Sequence, residues 1–500
     1  MSSPILIVVF VYYLLIHPSQ ALDKVRLNKD GQFVGANGQI LLFHGFNSVQ
    51  KGPPWYDRQM KNRTQLQMFQ SWGVNVVRLG IMWPGVMPNK GIVSEEYLGH
   101  IREIVESCQE FGIYVLLDMH QDVLSTRFGT YEGIPTWLVD ELPKPRASRA
   151  YPWPFSAPPA QWFENYLTYA CVNCAEQLYT NVSGAWEHWG QFWEVVAQRF
   201  GKYPNVIGYE LINEPPMSNF YENPERLLPG YVGLHHLLPT YDYLVNRIRA
   251  VDSDTLIFYE PLTYGVFLPD SILDTGTGFN RVPGLLQDHK AAEKSVLSYH
   301  YYCWLLQTAD PARAMHWWEK VICDHGLMPS VFANSRRSIE RTGGGRFLTE
   351  FGLCGPDGNP HSINTVECDA LMIKADEEFQ SWMYWDGNFL DRVGNPIETQ
   401  VRFFVRPYPK TTRGSPDRLR FDPKTGEFRY SFELDTSKLT VEQLVAEIFV
   451  PNQVQYTTGA VVRVTPPSIK SVMEGDLLRL FTGTMLSEGK IKVVVQISRS

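Results

Sequence analysis

Between residues 40 and 386 the chain repeats one alternation eight times: a short apolar stretch with the marks of a buried strand, then a stretch with helical periodicity. The strand-like stretches are ILLFHGFN (40–47), VNVVRL (74–79), IYVLLDMH (113–120), VIGYELIN (206–213), TLIFYEP (255–261), SVLSYHYY (295–302), RFLTEFG (346–352) and FQSWMYWD (379–386). Helical spacing fills the gaps. Ser94 is a good N-cap, Leu98, Ile101, Val105 and Cys108 follow on one face, and Gly112 stops the helix. Similar patterns run to Gly73, over AWEHWGQFWEVVAQRFG, from Leu237 to Val251 and from Glu367 to Phe379. Eight strands alternating with helices predict an α/β fold, a (β/α)8 barrel enlarged by insertions.

The pattern changes near residue 395. GEFRYSFEL, AEIFVP, AVVRVTP, LLRLFTG and KIKVVVQI alternate at period two and are divided by Gly, Pro, Asp and Asn. Residues 396–500 therefore read as an antiparallel β-sandwich. At the other end, ILIVVFVYYLLI (5–16) is too short to span a bilayer, and Ser19 and Ala21 give small residues at cleavage spacing. Residues 1–21 read as a secretory signal peptide, leaving 22–395 for the barrel. The leader carries no Lys or Arg, so an uncleaved membrane anchor stands as the alternative.

A secreted chain is consistent with seven cysteines and with two N-glycosylation sequons, at Asn62 and Asn181. Cys354 and Cys368 flank one loop, and Cys303 and Cys323 flank another; either pair could form a staple. Cys171 and Cys174 make a C-x-x-C with no matching second pair. A local disulfide is expected there in place of a zinc site. Cys108, on a helix face, is the odd thiol. Lys plus Arg number 45 against 53 Asp plus Glu, a formal charge of −8. That balance argues against a nucleic-acid partner and against electrostatic docking on anionic lipid.

Catalytic groups of such barrels sit at the C-terminal ends of the strands. Here those ends carry Arg78, then Asp118, His120 and Asp122, then Asn213 and Glu214 before two prolines, then His300 and Tyr302, then Glu350 and Trp385. Pro215 and Pro216 make a stiff turn that holds Glu214 at the rim of a buried strand. Two glutamates on opposed strands match the needs of glycoside hydrolysis. One protonates the leaving oxygen and the other attacks the oxocarbenium-like centre. The acid needs a raised pKa, whereas the nucleophile must stay ionised, which Arg78 would favour. Asn213 suits a sugar 2-hydroxyl, and Trp385 offers a flat face to a sugar ring. No metal-ligand pattern stands out, and no cofactor is expected.

LINEPP and LTEFG, with Arg78, His120, His300, Tyr302 and Trp385 at other strand ends, resemble glycoside hydrolase family five over residues 30–390. HGFNSVQKGPPW, VVRLGIMWPGVMP, LLDMHQDVLS and GIPTWL, with the C-terminal sandwich, resemble its endoglycoceramidases, which cut oligosaccharide from ceramide in glycosphingolipids. The resemblance implies a retaining mechanism with Glu214 as acid/base and Glu350 as nucleophile. It implies that Lys51, His120, Asp122, Asn213, His300, Tyr302 and Trp385 line the sugar site, with Arg78 orienting Glu350.

Blander readings stand beside these. His120 and His300 could brace neighbours, and Asp118 could make structural hydrogen bonds. A ceramide glycoside needs an apolar groove. Trp137, Trp153, Phe155 and Trp162 of one insertion, and Val266, Phe267 and Leu268 of another, could form it or could pack on the barrel. The sandwich could be a carbohydrate-binding module or a membrane-docking platform, and reads by default as support for the barrel. The expected partner is a glycosphingolipid at a membrane or micelle surface, met by a monomer that is secreted or, alternatively, lysosomal. Competing activities are a β-glucosidase acting on glucosylceramide or steryl glucosides and a β-1,4-glucanase. A catalytically inactive sugar-binding barrel is the competing class.

Overall fold

A computed structural model describes residues 22–129, 133–263, 265–267, 276–437, 439–484 and 489–500. The expected signal peptide and Leu268 lie outside the described residues. Among the described residues no helix is long and apolar enough to cross a membrane.

Eight parallel strands close into a barrel in chain order: β1 (His44–Ser48), β2 (Val76–Gly80), β3 (Tyr114–Asp118), β4 (Val206–Glu210), β5 (Leu256–Tyr259), β6 (Ser295–Tyr301), β7 (Gly345–Phe351) and β8 (Trp382–Tyr384). β8 pairs back onto β1, which leaves no edge. Each strand overlaps one of the eight apolar stretches, and most are shorter than the stretch; two of the trimmed ends matter for the site and the sandwich. Ile40 and Leu41 form a separate short strand, because the chain turns away from the barrel before His44. β4 stops at Glu210, so Glu214 sits in the loop four residues beyond the ladder. The helix Glu95–Glu110 runs as expected: Ser94 Oγ accepts the Tyr97 amide, and Leu98, Ile101, Val105 and Cys108 are buried.

The barrel interior changes character along its axis. Its N-terminal end is an apolar plug of Val76, Leu116, Ile207, Phe258, Val296, Phe347 and Met383, sealed from below by Val25, Phe33 and Leu41. Phe33 packs edge-on against Phe43 and Phe347. Gly208 belongs to this layer by necessity, since a Cβ there would come within 2.3 Å of the Phe258 ring. One layer higher the filling becomes ionic, with Arg78 fully buried among Asp118, Glu210 and Asn47.

The C-terminal part is antiparallel. One sheet orders β10 (Ser415–Phe421), β11 (Phe428–Asp435), β16 (Lys490–Arg499) and β13 (Ala460–Thr465). The other joins β9 (Tyr408–Thr412), β12 (Leu444–Phe449), β15 (Leu477–Thr482) and β14 (Ile469–Glu474) to the three short strands Arg26–Leu27, Phe33–Val34 and Ile40–Leu41. The N-terminal segment thus plugs the barrel and extends the sandwich. One apolar cluster runs from barrel residues such as Phe46 through Phe404 and Tyr408 into Ile448 and Leu480 of the sandwich. The Tyr408 ring stacks on His44 at 3.8 Å, and its hydroxyl donates to the Gly73 carbonyl at 2.6 Å.

Cys303 bonds Cys323, and Cys354 bonds Cys368. The expected Cys171–Cys174 bridge is absent. Both residues lie on the helix Tyr169–Tyr179, buried as free thiols, as is Cys108. They fill core space as small apolar side chains, and burial raises both thiol pKa values.

Candidate active site

Arg78 organises the site from beneath. Its side chain leaves β2 into the barrel, donating through Nη1 to Asn47 at 3.0 Å and to Glu350 Oε2 at 2.9 Å, and through Nη2 to Asn213 at 2.8 Å. Its Nε meets Glu210, which Ser298 also contacts. Burial works against this charge, but Asp118, Glu210 and Glu350 more than offset it and raise the pKa. The guanidinium is a fixed cation, held among carboxylates of three other strands.

Glu350 reaches the same space because β7 is irregular. The register with β6 shifts between Leu348 and Glu350, which breaks strict alternation and lets Thr349 and Glu350 both turn inward. Thr349 Oγ1 meets Ser298 in the buried layer, while Glu350 faces the cavity above. Arg78 takes one Glu350 oxygen, and the Tyr302 hydroxyl donates to the other at 2.7 Å.

Glu214 sits opposite with an unusual backbone, φ +39°. Three contacts hold it there. Its amide donates to Glu260 Oε2 at 2.6 Å, Gln121 Nε2 donates to its carbonyl at 2.6 Å, and its Oε1 lies 2.9 Å from His300 Nδ1. A carboxylate oxygen of Glu214, one of Glu350 and a ring nitrogen of His300 lie within 4.8 Å of one another. That spacing would admit a cation, but Arg78 and Tyr302 already engage both oxygens of Glu350.

The surroundings bias the protonation of several groups around the cavity. Burial pushes Glu214 up to about 7, and the Asp122 carboxylate adds to the rise. Burial holds His300 down at about 4, so it is neutral at physiological pH. His120 goes the other way. Despite burial, its contact with Asp118 at 2.7 Å raises it to about 9, and Asp122 at 3.4 Å contributes. Lys51 pairs with Asp122 at 2.5 Å and lies 4.4 Å over the Trp385 ring.

A cavity of about 230 Å3 opens above these groups. Of the residues expected from sequence, Glu214, Glu350, Lys51, Asp122, His300, Tyr302 and Trp385 line it. Asn213 and His120 do not. Asn213 is bonded to Arg78 and to the Gln121 carbonyl beneath the floor. His120 is closed in by Asp118, Asp122 and the Trp385 ring, stacked at 5.4 Å. Sequence reading did not single out Glu210, Glu260, Gln121 or Tyr166. Glu260 carried a signal, since Glu260-Pro261 after β5 repeats the Glu214-Pro215 pairing after β4.

The insertions divide between the two roles considered for them. Trp137 donates to the Met87 carbonyl, and Trp153 packs on Tyr169 and Tyr221. Trp162 and Phe267 line the cavity. Beside it lies a second, apolar cavity of about 110 Å3, lined by Leu167, Pro215, Pro216, Met217, Leu228 and Leu262 among others. Tyr166 and Thr263 belong to both walls.

The model of the family described as cellulase (glycosyl hydrolase family 5) matches residues 34–390, and that of the glycoside hydrolase family 5 C-terminal domain matches 406–495. An endoglycoceramidase of Cyanea nozakii is 31% identical over 468 residues, covering 87% of this chain and 86% of that one. Among solved structures, endo-glycoceramidase II from Rhodococcus sp. in its ganglioside GM3 complex superposes with a TM-score of 0.71 at 20% identity, covering 93% of this chain and 99% of that chain. Sterylglucosidase 1 of Cryptococcus neoformans gives 0.72 at 14% identity, covering 95% and 97%. The chain belongs to glycosyl hydrolase family 5 and, within it, to the endoglycoceramidase family.

Proposed function

We propose that the protein is a retaining endoglycoceramidase that hydrolyses the β-glycosidic bond between oligosaccharide and ceramide. The observation that carries this reading is the apolar cavity beginning at Pro215, one residue beyond Glu214. The proton donor stands on the leaving-group side of the bond, so the apolar cavity lies where the ceramide must go. Sugar would occupy the polar cavity, with its ring on Trp385 and its hydroxyls on Lys51 and Asp122. A cellulose-type substrate would need polar sites on both sides of the cut.

In the first step Glu350 Oε attacks the anomeric carbon, and the C–O bond to ceramide breaks. The Glu214 proton goes to the departing oxygen. Arg78 aims Glu350 by holding one of its oxygens, and Tyr302 steadies the second. Ionised Glu214 then takes a proton from water, whose oxygen displaces Glu350 and returns the free carboxylate. His120 and Asn213 act from beneath the floor, by holding Asp122 and Arg78.

A leader at 1–21 and glycans on exposed Asn62 and Asn181 complete the proposal of a secreted, monomeric enzyme whose sandwich supports the barrel. N-terminal sequencing and deglycosylation of the secreted protein test that part.

The activity test offers a ganglioside, glucosylceramide and a soluble cello-oligosaccharide in detergent. Intact oligosaccharide with free ceramide from the ganglioside is expected. Glucose from glucosylceramide alone would give the site to the glucosidase reading, and cutting only the cello-oligosaccharide would make the apolar cavity incidental.

A further inference from the structure

The disulfide Cys303–Cys323 closes a segment after β6 that carries a helix with its polarity reversed. In Trp317–Ile322, Trp317 is 78% exposed, Val321 is 50% exposed, and Trp318 and Ile322 are exposed as well. These four share one face, at spacings of one, four and five residues. The carboxylate of Glu319 points inward instead, 2% exposed and paired with Arg313 at 2.5 Å and 2.8 Å. A helix in water turns its apolar stripe to the core and its charges outward. Here the apolar residues face outward and Glu319 faces inward, with Lys320 half-exposed beside them.

The helix ends close to the wall of the catalytic cavity. The disulfide brings the end of the helix to within 5.6 Å, Cα to Cα, of Cys303. The next residue, Trp304, is 53% exposed and lines the cavity, as does exposed Leu353 after β7. Large exposed apolar groups thus gather on loops at the C-terminal end of the barrel, around the mouth of the site. The charges of the segment are largely consumed internally, Arg313 by Glu319 and Lys320 by Asp324 at 2.5 Å.

We infer that the helix Trp317–Ile322, with Trp304 and Leu353, is a surface that docks on a lipid bilayer and inserts its aromatic rings at the headgroup boundary. Indole rings favour that depth, where one edge is apolar and the other wet. Docking there would bring the cavity mouth to the level of a glycolipid headgroup; in this respect the inference rests on the glycolipid reading of the same site. Attraction is apolar, because among the described residues Arg313 and Lys320 beside the rings are paired with acids and the chain's net charge of −8 opposes an anionic surface. The surface therefore fits zwitterionic lipid, with little dependence on salt.

The test compares the full chain with Trp317→Ser/Trp318→Ser, neither position lining the cavity, on phosphatidylcholine vesicles. Sedimentation of the parent with vesicles at both low and high salt is expected, and binding about tenfold weaker or more in the variant. Hydrolysis of ganglioside embedded in the vesicles should fall with it, while hydrolysis of a soluble aryl β-lactoside and the melting temperature stay unchanged. Equal vesicle binding by the two proteins, or none by the parent, overturns the inference. So does a concentration-dependent dimer of the parent that the variant dissolves, for then a second copy covers the face. A parent that binds vesicles but cuts only the lactoside, even in detergent, defeats the substrate reading and leaves the docking surface standing.

Discussion

The amide of Glu214 donates to the Glu260 carboxylate at 2.6 Å, so the acid of one strand end is held by an acid of the next. Glu260 is buried, which raises its own pKa, and the charges of Glu210 and Glu214 add to the rise. It also lies 3.4 Å from Nε2 of His300, whose Nδ1 meets Glu214. The positive φ of Glu214 is therefore held from both its backbone and its side chain. Glu260→Ala should let that turn relax, lowering kcat by about 10²-fold with KM for the glycolipid little changed. Steady-state kinetics decide it; equal losses in 1/KM and kcat would give Glu260 a role in binding.

The two catalytic carboxyls should fail differently. Glu350→Gln removes the attacking group and should abolish turnover of every substrate. Glu214→Gln removes the proton donor, worth about 10²–10⁴ on a ceramide leaving group. An aryl lactoside with an acidic phenol leaves without protonation, so its first step should survive. Rapid-quench measurement of the phenol released should show a burst in Glu214→Gln and none in Glu350→Gln.

The acid limb of the mechanism sets a pH dependence. Glu214 must hold its proton to donate it, and its pKa is pushed up to about 7. The kcat/KM for glycolipid should fall as pH rises through that value. After burial, Asp122 is the largest cause of the rise. Asp122→Asn removes that negative charge and leaves the Lys51 cation without its partner, and both changes favour ionised Glu214. The alkaline limb should move to lower pH, as read from the rate profile with detergent-dispersed substrate.

Much of this arrangement was legible in the residues. The barrel strands announced themselves because a strand covered on both faces must be apolar, and the polar residues that break each run mark the functional end. What alternation could not show was the bulge in β7 that turns Thr349 and Glu350 the same way, or that Glu210 lies within β4 as a partner for Arg78. Both depend on contacts across the barrel. The same limit hid the use of Ile40 and Leu41 by the sandwich sheet, and it made Cys171 and Cys174 look like a bridge when the helix packs both thiols into the core. The docking helix was missed because its sequence, WWEKVI, reads as amphipathic without saying which face the fold will cover.

A second pH dependence should appear in stability. Burial pushes Glu367 up to about 8, with the nearby Asp324 adding to the rise. An ordinary glutamate in the unfolded chain ionises near 4.5. Between those values the folded protein holds a proton that the unfolded chain releases, so stability is highest below about 4.5 as far as this group is concerned and declines as pH rises toward 8. Glu367→Gln cannot ionise and should flatten the decline. Melting temperatures of parent and variant at pH 5 and pH 8.5 check this: the variant should gain on the parent at the higher pH.

The apolar cavity yields the prediction most specific to lipid. Leu228 lines it yet is largely exposed, so a charge placed there has little effect on folding. Leu228→Asp would set a carboxylate against the chains expected beside Met217 and Leu262, where its desolvation is unfavourable. KM for a ganglioside in detergent should rise by about tenfold, whereas the aryl lactoside, which has nothing to place in that cavity, should be cut as before. The comparison separates the two cavities by chemistry. A loss on both substrates would mean that the substitution reaches Glu214 through the Pro215 turn. No loss on either would mean that the acyl chains leave the site by another route, with Trp162 and Phe267 the next walls to alter.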